Sequence, residues 1–133
     1  MTSSPENKPN VKILLVEDEA STALAMTLIL RDMGFLTCQP AATGRTALER
    51  LVLEKPDVVL MDINLPGDLD GIETVRRMAL PGRPAIIFIT GYSSPDLLER
   101  AWDLDPAAIL TKPVKPDTLK SAIDAATDRR HGS

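Results

Sequence analysis

The chain has 133 residues, of which 44% are hydrophobic and 26% charged, as in an ordinary globular domain with one core. The net charge of -4 includes no large basic block, so we expect neither a nucleic-acid nor a membrane partner. A single cysteine, Cys38, excludes an internal disulfide, no apolar run could span a bilayer, and residues 1–10 lack the apolar stretch of a signal peptide. The composition therefore predicts a cytoplasmic protein.

Short apolar segments alternate with helical patterns along the chain. The predicted strands cover residues 11–16, 35–39, 57–61, 85–89 and 107–110, and the predicted helices cover 20–33, 44–53, 71–78, 95–103 and 116–128. We expect residues 1–10 to be a disordered lead, residues 11–128 to form one domain, and residues 129–133 to be a C-terminal tail.

Stop and cap residues support these boundaries. Gly34 and Pro56 end helical patterns, and the hydroxyls of Thr43 and Ser94 can cap the helices that follow them. The positions of the first and last helices that we expect to face the core recur at helical spacing: Ala23, Leu24, Thr27, Leu28 and Leu30 or Arg31 in the first, and Leu119, Ala122, Ile123 and Ala126 in the last. Strands that alternate with helices predict an α/β fold, a doubly wound parallel sheet of five strands covered on both faces.

Polar side chains follow four of the predicted strands. They are Glu17 and Asp18, Asp62, Thr90, and Lys112. Parallel strands place their carboxyl ends at one edge of the sheet, so we expect these groups to meet at a crevice there. Three neighbouring carboxylates repel each other and suit a hard divalent cation, most simply Mg²⁺, with Lys112 as a second positive charge. Asp62, at the end of the central strand, is the residue that we expect to carry the chemistry.

In their order and position these residues resemble the receiver domains of response regulators, the phosphoacceptor half of two-component signalling. The resemblance covers 11–128 and depends on motifs at the strand ends: Val16-Glu17-Asp18-Glu19, Met61-Asp62-Ile63-Asn64-Leu65-Pro66, Asp70-Gly71, Ile89-Thr90-Gly91 and Leu110-Thr111-Lys112-Pro113. It implies a flavodoxin-like fold with strand order 2-1-3-4-5.

The resemblance also implies a role for each strand-end residue. Asp62 would accept a phosphoryl group from a histidine kinase or a histidine phosphotransfer protein, while Lys112 and Thr90 would bind phosphoryl oxygens. The implied Mg²⁺ ligands are Asp18, Glu17 through water, Asp62 and the backbone carbonyl of Asn64. The chain would then be a stand-alone regulatory switch, not an enzyme, and would signal by binding an unknown downstream protein.

Two other functions stay open. A degenerate receiver would bind partners without phosphorylation, although the intact Asp62, Thr90 and Lys112 argue against it. A Mg²⁺-dependent phosphatase with an aspartate nucleophile would need a second acid two residues after Asp62, where this chain has Asn64. Taken alone, Asp62 also fits a simple turn residue, because Asp is common in turns.

The sequence departs from the family pattern around the predicted site. Glu17 stands where many members have Asp, and the loop over residues 66–71 is longer than the common form. Ile109 replaces an aromatic residue that is thought to rotate as the threonine moves. Because a β-branched side chain is stiff, Ile109 cannot rotate in the same way, and Tyr92 is a candidate substitute.

Further departures follow the helix that contains Trp102. Asp105-Pro106 replaces a common Gly-Ala pair, and Lys115 precedes Pro116 where a capping Ser or Asp is expected. Because proline excludes the residue before it from the right-handed helical region, the turn at Asp105 should differ in shape. We hypothesise that the signalling surface, formed by Trp102, Ile109 and their neighbours, is atypical.

Overall fold

The computed structural model describes residues 11–78, 82–92 and 94–132, with side chains up to residue 128. The strands are β1 (Lys12–Val16), β2 (Leu36–Thr37), β3 (Val58–Asp62), β4 (Ala85–Thr90) and β5 (Ala108–Thr111). The helices are α1 (Ala20–Asp32), α2 (Gly44–Glu54), α3 (Gly71–Arg76), α4 (Pro95–Trp102) and α5 (Pro116–Gly132). Within these ranges no helix combines the length and the apolar character needed to cross a membrane.

The strands form one parallel sheet in the order β2-β1-β3-β4-β5. Buried side chains of α2, α3 and α4 belong to one hydrophobic cluster with the sheet, and those of α1 and α5 belong to a second cluster. The two clusters lie on opposite faces because successive strand residues point to opposite sides. The predicted doubly wound α/β fold and its strand order are therefore confirmed.

The chain differs from the predicted boundaries at its edge strand and at its last helix. β2 contains only Leu36 and Thr37, since it pairs with β1 on one side and with no other described strand. α5 continues to Gly132, through most of residues 129–133 that we expected to be a tail, because neither proline nor glycine interrupts 129–131. The lead predicted over 1–10 lies outside the described residues.

Hydroxyl caps fix the starts of two helices as the sequence predicts. Thr43 Oγ1 accepts a 3.1 Å hydrogen bond from the backbone N–H of Thr46, and Ser94 Oγ accepts a 3.2 Å bond from that of Leu97. Each cap satisfies a backbone donor that has no partner within the helix and is worth about 1 kcal/mol. α2 and α4, which follow β2 and β4, therefore begin at defined residues.

The buried stripe of α1 contains some of the residues that the spacing predicts and leaves out others. Ala23, Thr27 and Leu30 are buried, while Leu24 and Leu28 are 61% and 56% exposed. Burial of Thr27 is possible because its hydroxyl donates a 2.8 Å hydrogen bond to the carbonyl oxygen of Ala23. The apolar spacing of the sequence fits two neighbouring faces of this helix, and the structure uses the one that contains the threonine.

Candidate functional site

Three carboxylates meet at the carboxyl edge of the sheet. Glu17 and Asp18 follow β1, Asp62 ends β3, and these strands are paired neighbours with Val16 opposite Met61. One carboxylate oxygen from each of the three acids lies within 4.8 Å of the others. Glu17 and Asp62 are each only 5% exposed, whereas Asp18 is exposed. The predicted convergence of these side chains is therefore present in the structure.

Both buried carboxylates are held by the backbone that follows them. Glu17 Oε2 accepts a 3.0 Å hydrogen bond from the N–H of Glu19, and Asp62 Oδ1 accepts a 2.9 Å bond from the N–H of Asn64. Hydrogen bonds of this kind restrict the rotation of a carboxylate and fix the direction of its oxygens. Each acid keeps its second oxygen for other partners in the crevice.

Lys112, after β5, supplies positive charge to those remaining oxygens. Its Nζ lies 3.2 Å from Glu17 Oε1 and 3.4 Å from Asp62 Oδ2, and a third of its side chain is exposed. Burial alone would lower the pKa of Lys112, but the charge of Asp62 and the hydrogen bond to Glu17 outweigh burial and raise the pKa above its ordinary value. Lys112 is therefore a fixed cation facing two buried anions.

Thr90 lies at the end of β4 and is 1% exposed. Its Oγ1 is 2.7 Å from the backbone oxygen of Tyr92 and 3.2 Å from Oδ1 of Asn64. The backbone oxygen of Thr90 accepts a 2.8 Å bond from the N–H of Lys112, which ties β4 to the residue after β5. The structure thus brings together all the residues that the sequence placed at the site.

The turn from β3 into α3 depends on Asp70 and Gly71. Asp70 Oδ1 caps α3 by accepting a 2.8 Å hydrogen bond from the N–H of Glu73. A Cβ at Gly71 would lie 2.2 Å from the backbone oxygen of Asp62 and 2.8 Å from Cα of Ile63, closer than real Cβ contacts. Only glycine allows α3 to start so near the residue that ends β3, which fixes the loop around the crevice.

The longer loop between β3 and α3 is packed as well as charged. Leu65 and Leu69 are 4% and 3% exposed, and Asp68 forms a 2.6 Å ion pair with Arg45 at the start of α2. This guanidinium lowers the pKa of Asp68, mainly through the hydrogen bond between them. Because both charges are exposed, the leucines contribute more to the order of the loop than the ion pair does.

The atypical residues after α4 take up an unusual turn. Asp105 has φ of 56°, in the left-handed region, which Asp adopts more readily than most residues do. Pro106 disfavours the right-handed helical region at Asp105, but that effect favours extended backbone and does not explain the positive φ. The guanidinium of Arg83 donates to the backbone oxygens of Leu104, at 2.5 Å, and Asp105, at 3.2 Å. Trp102 is 53% exposed and Ile109 is half-buried against the core. The role of Arg83 could not be predicted from the sequence, because Arg83 lies 21 residues from the nearer of the two residues whose backbone oxygens it binds.

The donor set of the crevice fits a hard divalent cation. Every candidate ligand atom is an oxygen, and among the described residues Glu17, Asp18 and Asp62 form the one acidic group compact enough to hold a metal ion. Mg²⁺ prefers such oxygens and retains waters when protein supplies few ligands. The side chains present therefore fit the cation that the sequence analysis expected.

A parallel sheet in the order β2-β1-β3-β4-β5, with an acidic crevice and a lysine at its carboxyl edge, defines a CheY-like receiver domain. The sequence profile of the response regulator receiver domain matches residues 13–124, and the chain belongs to this family. The family and the fold that the sequence analysis expected are confirmed.

Individual relatives agree with this assignment. The chain is 36% identical over 118 residues to the transcriptional regulatory protein PdtaR of Mycobacterium tuberculosis, covering 89% of this chain and 57% of that protein. It is 32% identical to sporulation initiation phosphotransferase F of Bacillus subtilis, covering 86% and 91%. Among solved structures, a CheY-like receiver domain protein from Methanospirillum hungatei JF-1 is similar with a TM-score of 0.86 and 27% identity, covering 92% of this chain and 98% of that one. The chain thus spans little more than half the length of PdtaR.

Proposed function

We propose that this receiver domain is a phosphoacceptor whose modified residue is Asp62. The observation that carries the proposal is the position of Asp62 between two other carboxylates and the ammonium group of Lys112, at the end of the central strand. A carboxylate in this position can act as a covalent nucleophile, because the neighbouring ammonium group balances its charge and its oxygen stays free to form a bond. Phosphoryl transfer requires positioning and charge stabilisation more than acid–base chemistry.

The proposed step transfers one phosphoryl group between two residues of different proteins. An oxygen of Asp62 attacks the phosphorus of a phosphohistidine, the P–N bond breaks, and the histidine nitrogen leaves with the bonding electrons. Hydrogen bonding from Asn64 N–H orients the carboxylate, and Lys112 stabilises the negative charge that develops on the phosphoryl oxygens. In the resulting acylphosphate, Thr90 is the hydroxyl donor that we expect to bind a phosphoryl oxygen.

The carboxylates of Asp18, Asp62 and Glu17 would hold Mg²⁺, with the backbone carbonyl of Asn64 as a further ligand. When bound, the ion supplies Lewis-acid stabilisation of the phosphoryl group. Glu17 already uses both carboxylate oxygens, toward Glu19 N–H and Lys112, so its contribution through water leaves these contacts in place. Asp18, which is exposed, has the freer carboxylate for direct coordination.

Receiver domains work with histidine kinases or phosphotransfer proteins and with downstream targets. We propose the same two kinds of partner for this chain, in the cytoplasm, with a regulatory rather than an enzymatic purpose. Phosphorylation adds about 1.5 to 2 negative charges at the end of β3, which can bias a nearby surface between two conformations.

The test is intact-protein mass spectrometry after incubation with acetyl phosphate and Mg²⁺. Wild type is expected to gain one phosphoryl group and Asp62→Asn none, while the matched control Asp68→Asn, which changes an exposed carboxylate of the same loop, gains one. Omission of Mg²⁺, with EDTA added, is expected to abolish the gain. A wild type that gains no phosphoryl group under these conditions would exclude the proposal and favour the degenerate receiver.

The same proteins distinguish a phosphoacceptor switch from a phosphatase. A switch consumes one acetyl phosphate for each slow cycle of its own acylphosphate, whereas a phosphatase with an aspartate nucleophile turns over phosphate esters steadily. Phosphate release from a phosphate ester, measured with wild type and with Asp62→Asn, is expected to be equal and at background. Release that depends on Asp62 would favour the enzyme.

A further inference from the structure

The hydroxyl of Thr90 has two oxygen neighbours but only one proton to donate. Its Oγ1 lies 2.7 Å from the backbone oxygen of Tyr92 and 3.2 Å from Oδ1 of Asn64. A backbone carbonyl can only accept, so the shorter contact with Tyr92 takes the proton. Because Thr90 is 1% exposed, water has little access to separate the remaining pair. The contact with Asn64 is satisfied only if Asn64 supplies the hydrogen.

A half-turn of the Asn64 carboxamide provides this donor. The half-turn exchanges Oδ1 and Nδ2 with almost no change in shape, and the amide group has two N–H donors. Among the described residues, no other hydrogen bond of the Asn64 side chain opposes the half-turn, since its remaining bond uses the backbone N–H. Asn64 is exposed, so water can hydrate the other end of the carboxamide.

We propose that the Asn64 side chain is a positioning residue for Thr90. Asn64 Nδ2 donates to Thr90 Oγ1, and Thr90 donates to the backbone oxygen of Tyr92, in a relay of two hydrogen bonds. The relay connects the turn after β3, which begins at Asp62, with the chain that leaves β4. It holds the Thr90 hydroxyl directed toward Tyr92 in the unmodified protein.

The relay has a consequence that rests on the proposed function. A phosphoryl oxygen on Asp62 is a third acceptor for the same proton, and a charged acceptor forms the stronger hydrogen bond. Donation by Thr90 to the phosphoryl group ends its bond to Tyr92, while Asn64 keeps its bond to Thr90. Because Tyr92 is 78% exposed, the released segment lies at the surface, where a partner can contact it.

The backbone ¹³C′ chemical shift of Tyr92, measured by NMR on the full unmodified chain, tests the relay. Thr90→Ser, which keeps the hydroxyl, is expected to leave this shift at its wild-type value, and Thr90→Val, which removes the hydroxyl, to move it. Asn64→Asp replaces the donor by an acceptor that competes for the proton, so it is expected to move the shift part of the way to the Thr90→Val value. Asn64→Ala removes the donor without offering a competing acceptor, so it weakens the bond from Thr90 to Tyr92 and is expected to move the shift in the same direction by a smaller amount.

Two results would overturn the relay. One is a Tyr92 shift that Asn64→Ala leaves at the wild-type value or moves away from the Thr90→Val value, because loss of an accepting Asn64 would strengthen the bond from Thr90 to Tyr92. The other is an Asn64→Asp effect of the same size in a Thr90→Val background, because charge alone would then explain it. Within the double-mutant cycle, the relay requires that the effect vanish when the hydroxyl is absent.

Beryllium fluoride with Mg²⁺ then tests the release. Binding is followed by ¹⁹F NMR, and bound wild type is expected to move its Tyr92 shift to the Thr90→Val value, while bound Thr90→Val does not move. Bound fluoride with an unmoved wild-type Tyr92 would overturn the release. Failure of wild type to bind beryllium fluoride, or to accept phosphate, would count against the proposed function, while the variants of the unmodified chain decide the relay separately.

Discussion

Replacement of Gly71 by alanine has two opposing effects on stability: alanine has the higher helix propensity, but its Cβ would clash with the backbone of Asp62. Alanine is the better helix former, by about 1 kcal/mol at most in a helix interior. A Cβ at this position would lie 2.2 Å from the oxygen of Asp62, and real Cβ contacts begin at 3.0 Å, so the start of α3 must move by the difference of 0.8 Å. The three nearest atoms are all backbone atoms of Asp62 and Ile63, which cannot rotate away.

We therefore expect Gly71→Ala to lower the free energy of unfolding by about 1–3 kcal/mol, the usual cost of an overpacked position. The displacement falls on the residue proposed as nucleophile, and a shift of this size at a reacting group slows a reaction about tenfold to a hundredfold. Urea denaturation measures the first effect. The rate of phosphoryl gain from acetyl phosphate at subsaturating concentration measures the second.

Gly91→Ala is the matched control for stability. Its Cβ would meet Cδ of Lys112 at 3.5 Å, an ordinary contact with a flexible side chain. We expect this variant to unfold within about 0.5 kcal/mol of wild type, as surface substitutions usually do. A Gly71→Ala protein as stable as wild type, or more stable, would show that helix propensity prevails and would refute the steric reasoning.

Three further predictions concern the crevice, the buried thiol and a helix cap. Lys112→Met leaves two buried carboxylates without their cation, so we expect the free energy of unfolding, measured by urea denaturation, to fall by about 1–3 kcal/mol. The control Lys120→Met removes an exposed ion pair and should lower the free energy of unfolding by about 0.5 kcal/mol or less. Burial raises the pKa of Cys38 to about 11, so we expect Cys38 to react slowly with a thiol reagent at pH 8. Because the unfolded thiol loses its proton at lower pH than the folded one, the free energy of unfolding should fall between the ordinary thiol pKa and pH 11. Cys38→Ala should lack this contribution to the fall. Thr43→Ala should cost about 1 kcal/mol and Thr43→Ser much less, and equal losses for the two would exclude the cap as the cause.

The sequence could predict the parts of the site that depend on the order of the elements. Asp62, Thr90 and Lys112 each end or follow an apolar strand, and a parallel sheet brings such ends to one edge whatever the side chains do. The caps at Thr43 and Ser94 are equally local, because each hydroxyl meets a backbone N–H three residues on. A sequence can predict such features because the interacting residues lie only a few positions apart.

Contacts between distant residues could not be predicted in the same way. The bond from Arg83 to the backbone of Leu104 depends on how two loops meet, and neither loop has a composition that indicates it. The choice of Thr27 over Leu28 for the buried face of α1 depends on the rotation of the whole helix against the sheet. The contact of the Asn64 side chain could not be predicted because its partner, Thr90, lies 26 residues away in the sequence.

Lys112 makes a contact between two strands that are not neighbours in the sheet. β1 and β5 are separated by β3 and β4, yet the ammonium group after β5 contacts Glu17 after β1, across 95 residues of sequence. The contact joins the carboxyl ends of β1 and β5 across the two strands between them. A phosphoryl group on Asp62 would compete for the same ammonium group, so modification at the end of β3 would loosen the contact between the ends of β1 and β5.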